Sequence, residues 1–122
     1  MTTDNAPWWV ICLCAAWCGV CRDWQPAFER EALAQPGVRF AWVDVEDHAQ
    51  AMGEVDIETF PTLLVAHGQR VLFMGPVPPA GPQLARLLGS LRADPAPLAG
   101  VGEPEQALFA RLKSAVLPHF KT

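Results

Sequence analysis

Four cysteines lie within ten residues of this 122-residue chain, at positions 12, 14, 18 and 21, and no other position carries one. Cysteines that staple a small secreted fold are normally spread along the chain, so this crowding indicates a chemical site. Cys18 and Cys21 form a C-x-x-C motif that follows an apolar run and opens a helical pattern. Unpaired N–H groups and the dipole at a helix start favour the thiolate of Cys18, and Cys21 lies one turn further on. The spacing predicts thiol–disulfide exchange, with Cys18 attacking and Cys21 resolving the mixed disulfide.

The other two cysteines, Cys12 and Cys14, lie two apart in the apolar run and would share one face of a strand. We interpret them as small buried packing residues. A disulfide between them is disfavoured, because residues two apart on a strand are ~6.6 Å apart with parallel side chains. A metal site built from all four cysteines is an alternative, but zinc sites favour polar or glycine-rich loops. The histidines at 48, 67 and 119 show no ligand spacing, so we predict no metal site.

Hydrophobic patterns place these cysteines in a frame of alternating strands and helices. The run from Trp8 to Cys14 predicts a buried central strand, and the stretch from Cys18 to about Ala34 predicts a helix. Further strands are predicted over 38–45, 62–66 and 70–74, and further helices over 49–55, around 84–91 and from 103 onwards. This order, with its late hairpin, predicts an α/β fold with a four-stranded mixed sheet and helices on both faces.

Several short motifs resemble the thioredoxin family, in a region that runs from about Trp8 to Arg92. The segment WCGVC at 17–21 is similar to the family's active site, and Pro26 matches its helix-kinking proline. The segment TFPT at 59–62 resembles the family's cis-proline segment, and Gly75 falls where the family keeps a glycine beside the active site. The resemblance implies a three-layer sandwich and a protein disulfide oxidoreductase, and the amphipathic pattern after Glu103 adds an extra C-terminal helix to that fold.

The resemblance also implies roles for individual residues. Cys18 and Cys21 would be catalytic, and Pro61 would be cis, with the backbone of Phe60 pairing with an extended stretch of a partner. No bound cofactor would be needed. The partners would be protein disulfides or dithiols, together with an unidentified protein reductant or oxidant. The substrate-binding residues would be Trp17, Gly19, Val20, Phe60, Pro61 and Gly75.

Two positions depart from the family's pattern. The family's buried aspartate falls at Cys12 and its partner lysine falls at Trp42, so both groups credited with moving protons at the resolving cysteine are missing. Asp44 lies two residues after Trp42 and would share its strand face. We consider Asp44 a candidate for proton transfer, with a solvated strand end as the alternative. If the family geometry holds, a pairing of Cys12 with Cys21 is also open.

Only seven residues precede Trp8, so the family's usual first strand and helix have no counterpart here. The strand over 38–45 would therefore be an edge strand, and one face of the sheet would lose a helix. We predict a thioredoxin-like domain over residues 1–93, and a linker and C-terminal helix over 94–122 packed on the same domain. That helix would cover the face left open; the competing use is a partner or dimer interface.

The composition narrows the classes of function. A chain that is 51% hydrophobic and 18% charged can bury a core, and its net charge of -4 argues against nucleic-acid binding.

The uncharged run from Ala6 to Cys21 is shorter than the ~20 residues a bilayer needs and follows no positive segment of an export signal. We therefore expect a cytoplasmic monomer without a membrane partner. The alternatives are a redox-sensing protein-binding module and a metal-binding protein.

Overall fold

A computed structural model of the protein describes residues 6–78, 80–97 and 101–117. The predicted order of strands and helices is confirmed. The strands are β1 (Trp8–Cys14), β2 (Val38–Asp44), β3 (Thr62–His67) and β4 (Arg70–Pro76), and the helices are α1 (Gly19–Ala34), α2 (Ala49–Met52), α3 (Gly81–Ala93) and α4 (Glu103–Ala115). Among the described residues, no helix combines the length and apolar character that crossing a bilayer requires.

The four strands form one mixed sheet, as predicted, and their order is β2-β1-β3-β4. β2 runs parallel to β1, whereas β3 is antiparallel to both β1 and β4. All seven residues of β1 are buried, because strands flank it on both sides and helices cover both of its faces. Among the described residues, β2 lies at an edge of the sheet, as the sequence predicts.

Alternate residues of β1 contribute to two separate hydrophobic cores. Val10 and Cys12 face the helices α1 and α3, whose buried residues include Trp24 and Leu88. Ile11 lies in the core on the opposite face of the sheet, which α2 and α4 cover. The sheet is therefore the middle layer of three, as expected for an α/β sandwich.

Helix α4 covers the face of the sheet opposite α1 and α3. Leu108, Phe109 and Leu112 are completely buried there. The side chain of Gln106 also accepts a hydrogen bond from the backbone N–H of Val71 and donates one to its carbonyl, at 2.9 and 3.1 Å. These two bonds occupy backbone groups of the edge strand β4. The division at residue 93 stays a prediction, since residues 98–100 of the linker and 118–122, including His119, lie outside the described part.

The short helix α2 ends earlier than the sequence predicted. The pattern indicated a helix over 49–55, but α2 stops at Met52, and Gly53 has a φ of 61°. This left-handed conformation ends a helix and is readily adopted by glycine. The guanidinium of Arg111 donates hydrogen bonds to the carbonyls of Ala51 and Met52, at 2.7 and 3.0 Å. Helix α4 thus satisfies the last carbonyls of α2.

Candidate active site

Cys18 lies at the start of α1, where the chain leaves β1 and turns into the helix. It is the N-cap residue, with an extended backbone, and Gly19 and Val20 are the first two residues of the helix. The N–H of Cys18 donates to the carbonyl of Ala15 at 3.0 Å, and this turn orients the helix start. Cys18 is half-buried and Val20 is 49% exposed. A partner can therefore approach the thiol of Cys18 from solvent.

Cys21, in the first turn of α1, is buried and forms a disulfide with Cys14, the last residue of β1. The two Cα atoms are 6.1 Å apart, which is within the range for a disulfide. The interpretation of Cys14 as a packing residue is therefore wrong, and the alternative pairing of Cys12 with Cys21 is not the one formed. The physical reason is position: the last residue of β1 is the strand residue nearest to the start of α1. Cys18 is free in this state.

Cys12 is a free, completely buried thiol beneath this disulfide. Its sulfur lies 3.3 Å from the sulfur of Cys14, and the indole N–H of Trp24 donates to it at 3.4 Å. Burial raises the pKa of Cys12 from 9.0 to about 12, an effect that the hydrogen bond from Trp24 partly opposes. Cys12 is therefore a neutral thiol at neutral pH.

The layer beneath the site is apolar at both positions where the sequence lacks the family's charged pair. Trp42 packs edge-on against Phe28, with ring centroids 5.4 Å apart, and Cys12 occupies the other position. Asp44, on the same sheet face, pairs with Cys14 in the register of β1 and β2. Its Oδ1 accepts hydrogen bonds from the N–H groups of Glu46 and Asp47, at 2.8 and 3.2 Å. Asp44 thus caps the turn that follows β2.

The loop before α1 and the loop before β3 meet at a pair of aromatic rings. The ring of Trp17 contacts the ring of Phe60 edge-on, with centroids 5.6 Å apart. The peptide bond between Phe60 and Pro61 is cis, and the hydroxyl of Thr62 donates to the carbonyl of Thr59 at 2.6 Å. Trp17 is 63% exposed, whereas Pro61 is buried. The two segments that the sequence singled out thus lie side by side.

Two further residues position Trp17 and its loop, and the sequence reasoning missed both. The indole N–H of Trp17 donates to Oε2 of Glu46 at 3.0 Å, and a guanidinium nitrogen of Arg22 donates to the carbonyl of Ala16 at 2.7 Å. A signal for Glu46 was available, because the carboxyl ends of the parallel strands β1 and β2 meet at one edge of the sheet. Residues just after the two strands are therefore neighbours.

A groove of about 360 Å³ runs beside the aromatic pair. Trp17 and Phe60 line it together with Met52, Val55 and Ile57. Gly75 lies on β4 opposite Leu63 and borders a second groove, with Thr59 and Thr62. Gly75 is therefore next to the cis-proline segment. Within the described residues, no group of three or more His, Cys, Asp or Glu side chains is arranged to hold a metal ion.

Comparisons with known proteins agree with this fold. A sequence model of the Thioredoxin family matches residues 2–77. Putative thioredoxin 2 of Streptomyces coelicolor is 34% identical over 74 residues, which cover 61% of this chain and 54% of that protein. Thioredoxin H-type of Oryza sativa subsp. indica is 36% identical over 55 residues, 45% of each chain. The chain thus spans about half the length of these curated relatives.

Solved structures show the same architecture. Thioredoxin from Fasciola hepatica superposes with a TM-score of 0.62 at 25% identity, covering 69% of this chain and 80% of that one. Thioredoxin from Trypanosoma brucei brucei superposes with a TM-score of 0.64 at 24% identity, covering 77% and 80%. The three-layer fold, with a C-x-x-C motif at a helix start, defines a thioredoxin-like α/β protein. This chain belongs to the thioredoxin family.

Proposed function

We propose that this protein is a thiol–disulfide oxidoreductase that acts on protein disulfides or dithiols through Cys18 and Cys21. The observation that carries the proposal is the placement of these two residues: Cys18 caps the start of α1 and is accessible, while Cys21 is buried one turn behind it. Such an arrangement separates the attacking thiol from the resolving thiol.

The reductive cycle begins when the Cys18 thiolate attacks one sulfur of a partner disulfide and releases the other as a thiolate. The Cys21 thiolate then attacks the sulfur of Cys18, which frees the partner as a dithiol and leaves a disulfide between Cys18 and Cys21. Two electrons pass to the partner. In the state described, Cys21 is bonded to Cys14, so this cycle requires that bond to be reduced or exchanged first.

Trp17, Val20 and Phe60 supply an exposed apolar surface for the partner around Cys18. In this proposal the backbone of Phe60, next to Pro61, pairs with an extended stretch of the partner. Gly19 and Gly75 complete the substrate-binding set, because a glycine has no side chain and leaves room for a partner's backbone. A flat apolar surface and backbone pairing suit many protein sequences, so substrate choice would depend on access to the disulfide.

Asp44 is the proposed acceptor of the proton that Cys21 must lose. Its support is its place on the sheet face that holds Cys14, at the register position next to that residue.

The electrons come from a separate protein reductant, or pass to an oxidant, and the protein works as a monomer with no bound cofactor. A metal-binding role for the cysteine cluster remains the less favoured alternative.

An insulin-reduction assay with dithiothreitol as the electron donor tests the proposal. Cys18→Ser and Cys21→Ser should reduce turnover to the rate of dithiothreitol alone. When pre-reduced Cys21→Ser is mixed with insulin after dithiothreitol has been removed, it should trap the partner as a mixed disulfide on Cys18. Asp44→Asn should slow turnover at neutral pH more than at alkaline pH, where solvent can accept the proton. Cys12→Ser is the matched control and should keep the wild-type rate.

The competing function is a redox-sensing module that binds a partner without turnover. Such a module would show no reduction of insulin with any variant, while its affinity for a partner would differ between the oxidised and reduced protein. Turnover that survives in both Cys18→Ser and Cys21→Ser would refute the oxidoreductase proposal.

A further inference from the structure

Three cysteines converge where β1 meets α1, although exchange chemistry needs only two of them. Cys21 is bonded to Cys14 in this state and lies three residues after Cys18, the spacing at which a C-x-x-C pair closes a disulfide. Cys14 and Cys21 are each 1% exposed, whereas Cys18 is accessible and free. Cys21 therefore has two candidate partners, of which Cys14 is buried and Cys18 is half-buried.

We propose that Cys14 is a third redox-active residue. It displaces Cys18 from the disulfide with Cys21, and the oxidised protein then holds a buried disulfide between Cys14 and Cys21. The proposal rests on the proposed function, because the pair between Cys18 and Cys21 is its starting point. The Cys14 thiolate attacks the sulfur of Cys21, a bond forms between these two residues, and the bond from Cys21 to Cys18 breaks. Cys18 leaves as a thiolate and takes up the proton that Cys14 lost. The oxidation state of the protein is unchanged, so the step needs no external oxidant.

The exchange gives the oxidised protein two forms with different chemistry. With Cys18 bonded to Cys21, the disulfide is open to attack by a protein reductant. With Cys14 bonded to Cys21, both sulfurs are shielded from solvent and Cys18 is a free thiol. A partner dithiol or reductant cannot reach the buried disulfide directly. Only Cys18, at the neighbouring helix start, can reopen it, so Cys14 regulates when the oxidised protein is reduced.

Cys12 lies close to this disulfide, but it does not replace Cys14 as the partner of Cys21. Its sulfur is 3.3 Å from that of Cys14, yet it stays a free thiol in the same state. It lies two residues further from α1 along β1 and accepts a hydrogen bond from the indole of Trp24. Cys12 is therefore the matched control for Cys14: the same residue type, on the same strand face, one pleat further into the core.

Peptide mapping of the oxidised protein tests the proposal directly. The protein is oxidised with excess diamide, quenched with acid, alkylated with N-ethylmaleimide in denaturant and digested with chymotrypsin. Cleavage after Leu13 and Trp17 separates Cys12, Cys14 and the C-x-x-C pair into different peptides. The expected species is a cross-link between peptides 14–17 and 18–24 in which one cysteine carries the alkyl group. A peptide 18–24 with an internal disulfide reports the other form.

Variants separate this inference from the proposed function. Cys18→Ser should still form the cross-link between Cys14 and Cys21, although it cannot reduce insulin. Cys14→Ser should lose the cross-link and retain insulin turnover, and alkylation of its oxidised, native form should fall at least about tenfold because Cys18 is now bonded to Cys21. Cys12→Ser should behave as wild type in both assays. Cys14→Ala provides a second version of the key variant if the serine hydroxyl disturbs the core.

Two results would overturn the inference. The first is wild-type protein whose only disulfide, at every stage of oxidation, joins Cys18 to Cys21. The second is loss of the cross-link in Cys12→Ser to the same extent as in Cys14→Ser. Neither result changes the outcome expected in the insulin assay, so each is compatible with the proposed oxidoreductase activity.

Discussion

Cys12 and Cys14 differ in chemistry although they are two residues apart on one strand face. Cys14 is the last residue of β1 and reaches the first turn of α1, where it bonds to Cys21. Cys12 lies one pleat deeper, and burial raises its pKa to about 12. A thiol with this pKa is almost entirely neutral at physiological pH, and the thiolate is the reactive form. Position along the strand, rather than residue type, thus separates a bonded cysteine from an inert one.

Cys12 should resist alkylation in the native protein. In fully reduced protein treated with iodoacetamide at about pH 8, Cys18 should be modified at least about 100-fold faster than Cys12, because Cys12 is both inaccessible and un-ionised. Mass spectrometry of chymotryptic peptides measures the two rates separately. Adding urea should remove the difference, and comparable native rates for the two residues would contradict the buried placement of Cys12.

The raised pKa of Cys12 also has a defined effect on stability. Its folded-state pKa of about 12 lies above the usual 9.0, so the folded protein holds this proton more tightly than the unfolded chain. The stabilising contribution is complete below pH 9.0 and is lost as the pH rises towards 12. Neutral and acidic solutions should therefore show no pH dependence that originates from Cys12.

At the scale of secondary-structure elements, α4 and α2 are joined by one side chain. Arg111 of α4 donates to two carbonyls at the end of α2, and Gly53 leaves the space that the guanidinium occupies. A Cβ at position 53 would lie 2.7 Å from Nη2 of Arg111. Met52 and Gly53 line the groove beside Trp17, so this contact holds one wall of that groove.

Arg111→Leu should destabilise the protein by about 1–3 kcal/mol, because two carbonyls of α2 would lose hydrogen bonds to a charged group. Urea unfolding, with the free energy extrapolated to water, measures this change. Arg111→Lys should recover part of the loss, since it keeps the charge and can donate to one carbonyl. Arg86→Leu, at an exposed position of α3, is the control and should change stability by less than about 0.5 kcal/mol. Equal losses for Arg111→Leu and Arg86→Leu would refute the role of this contact.

At the scale of the whole molecule, α4 supplies much of the core on one face of the sheet. Leu108, Phe109 and Leu112 lie on the sheet face next to Ile11 and Leu64, and all of them are completely buried. A sheet with one bare apolar face would expose Trp9 and Leu13 as well. The thioredoxin-like fold of this chain therefore depends on a helix that follows the region matched by the family.

Leu108→Ala should lower the free energy of unfolding by about 2–5 kcal/mol, because it leaves a cavity in this core. Urea denaturation followed by tryptophan fluorescence measures the change, and Ala107→Ser, on the exposed face of α4, is the control. A chain that ends at residue 97 lacks all of α4 and should show no cooperative unfolding transition. A cooperative transition in that shortened chain would show that residues 1–97 fold without α4.

The sequence by itself determined the local and periodic features of this protein. Runs of apolar residues and their spacing are local properties, so the order of strands and helices, the mixed sheet and the C-x-x-C motif at a helix start could all be predicted. The cis-proline segment and Gly75 were predicted from short motifs that resemble those of the thioredoxin family. The ends of elements were less predictable. Helix α2 stops early because Gly53 adopts a positive φ, and Arg111, which lies 58 residues later in the chain, donates a hydrogen bond to a carbonyl at the end of the helix.

Only the tertiary structure decided which side chains meet across the molecule. The disulfide between Cys14 and Cys21, the bond from Trp17 to Glu46 and the contact of Trp17 with Phe60 each join different elements. Their geometry depends on how β1, α1 and the loop before β3 pack, which no local pattern encodes. Spacing could assign Cys18 and Cys21 to redox chemistry, but it could not show that the end of β1 brings a third cysteine to the same sulfur.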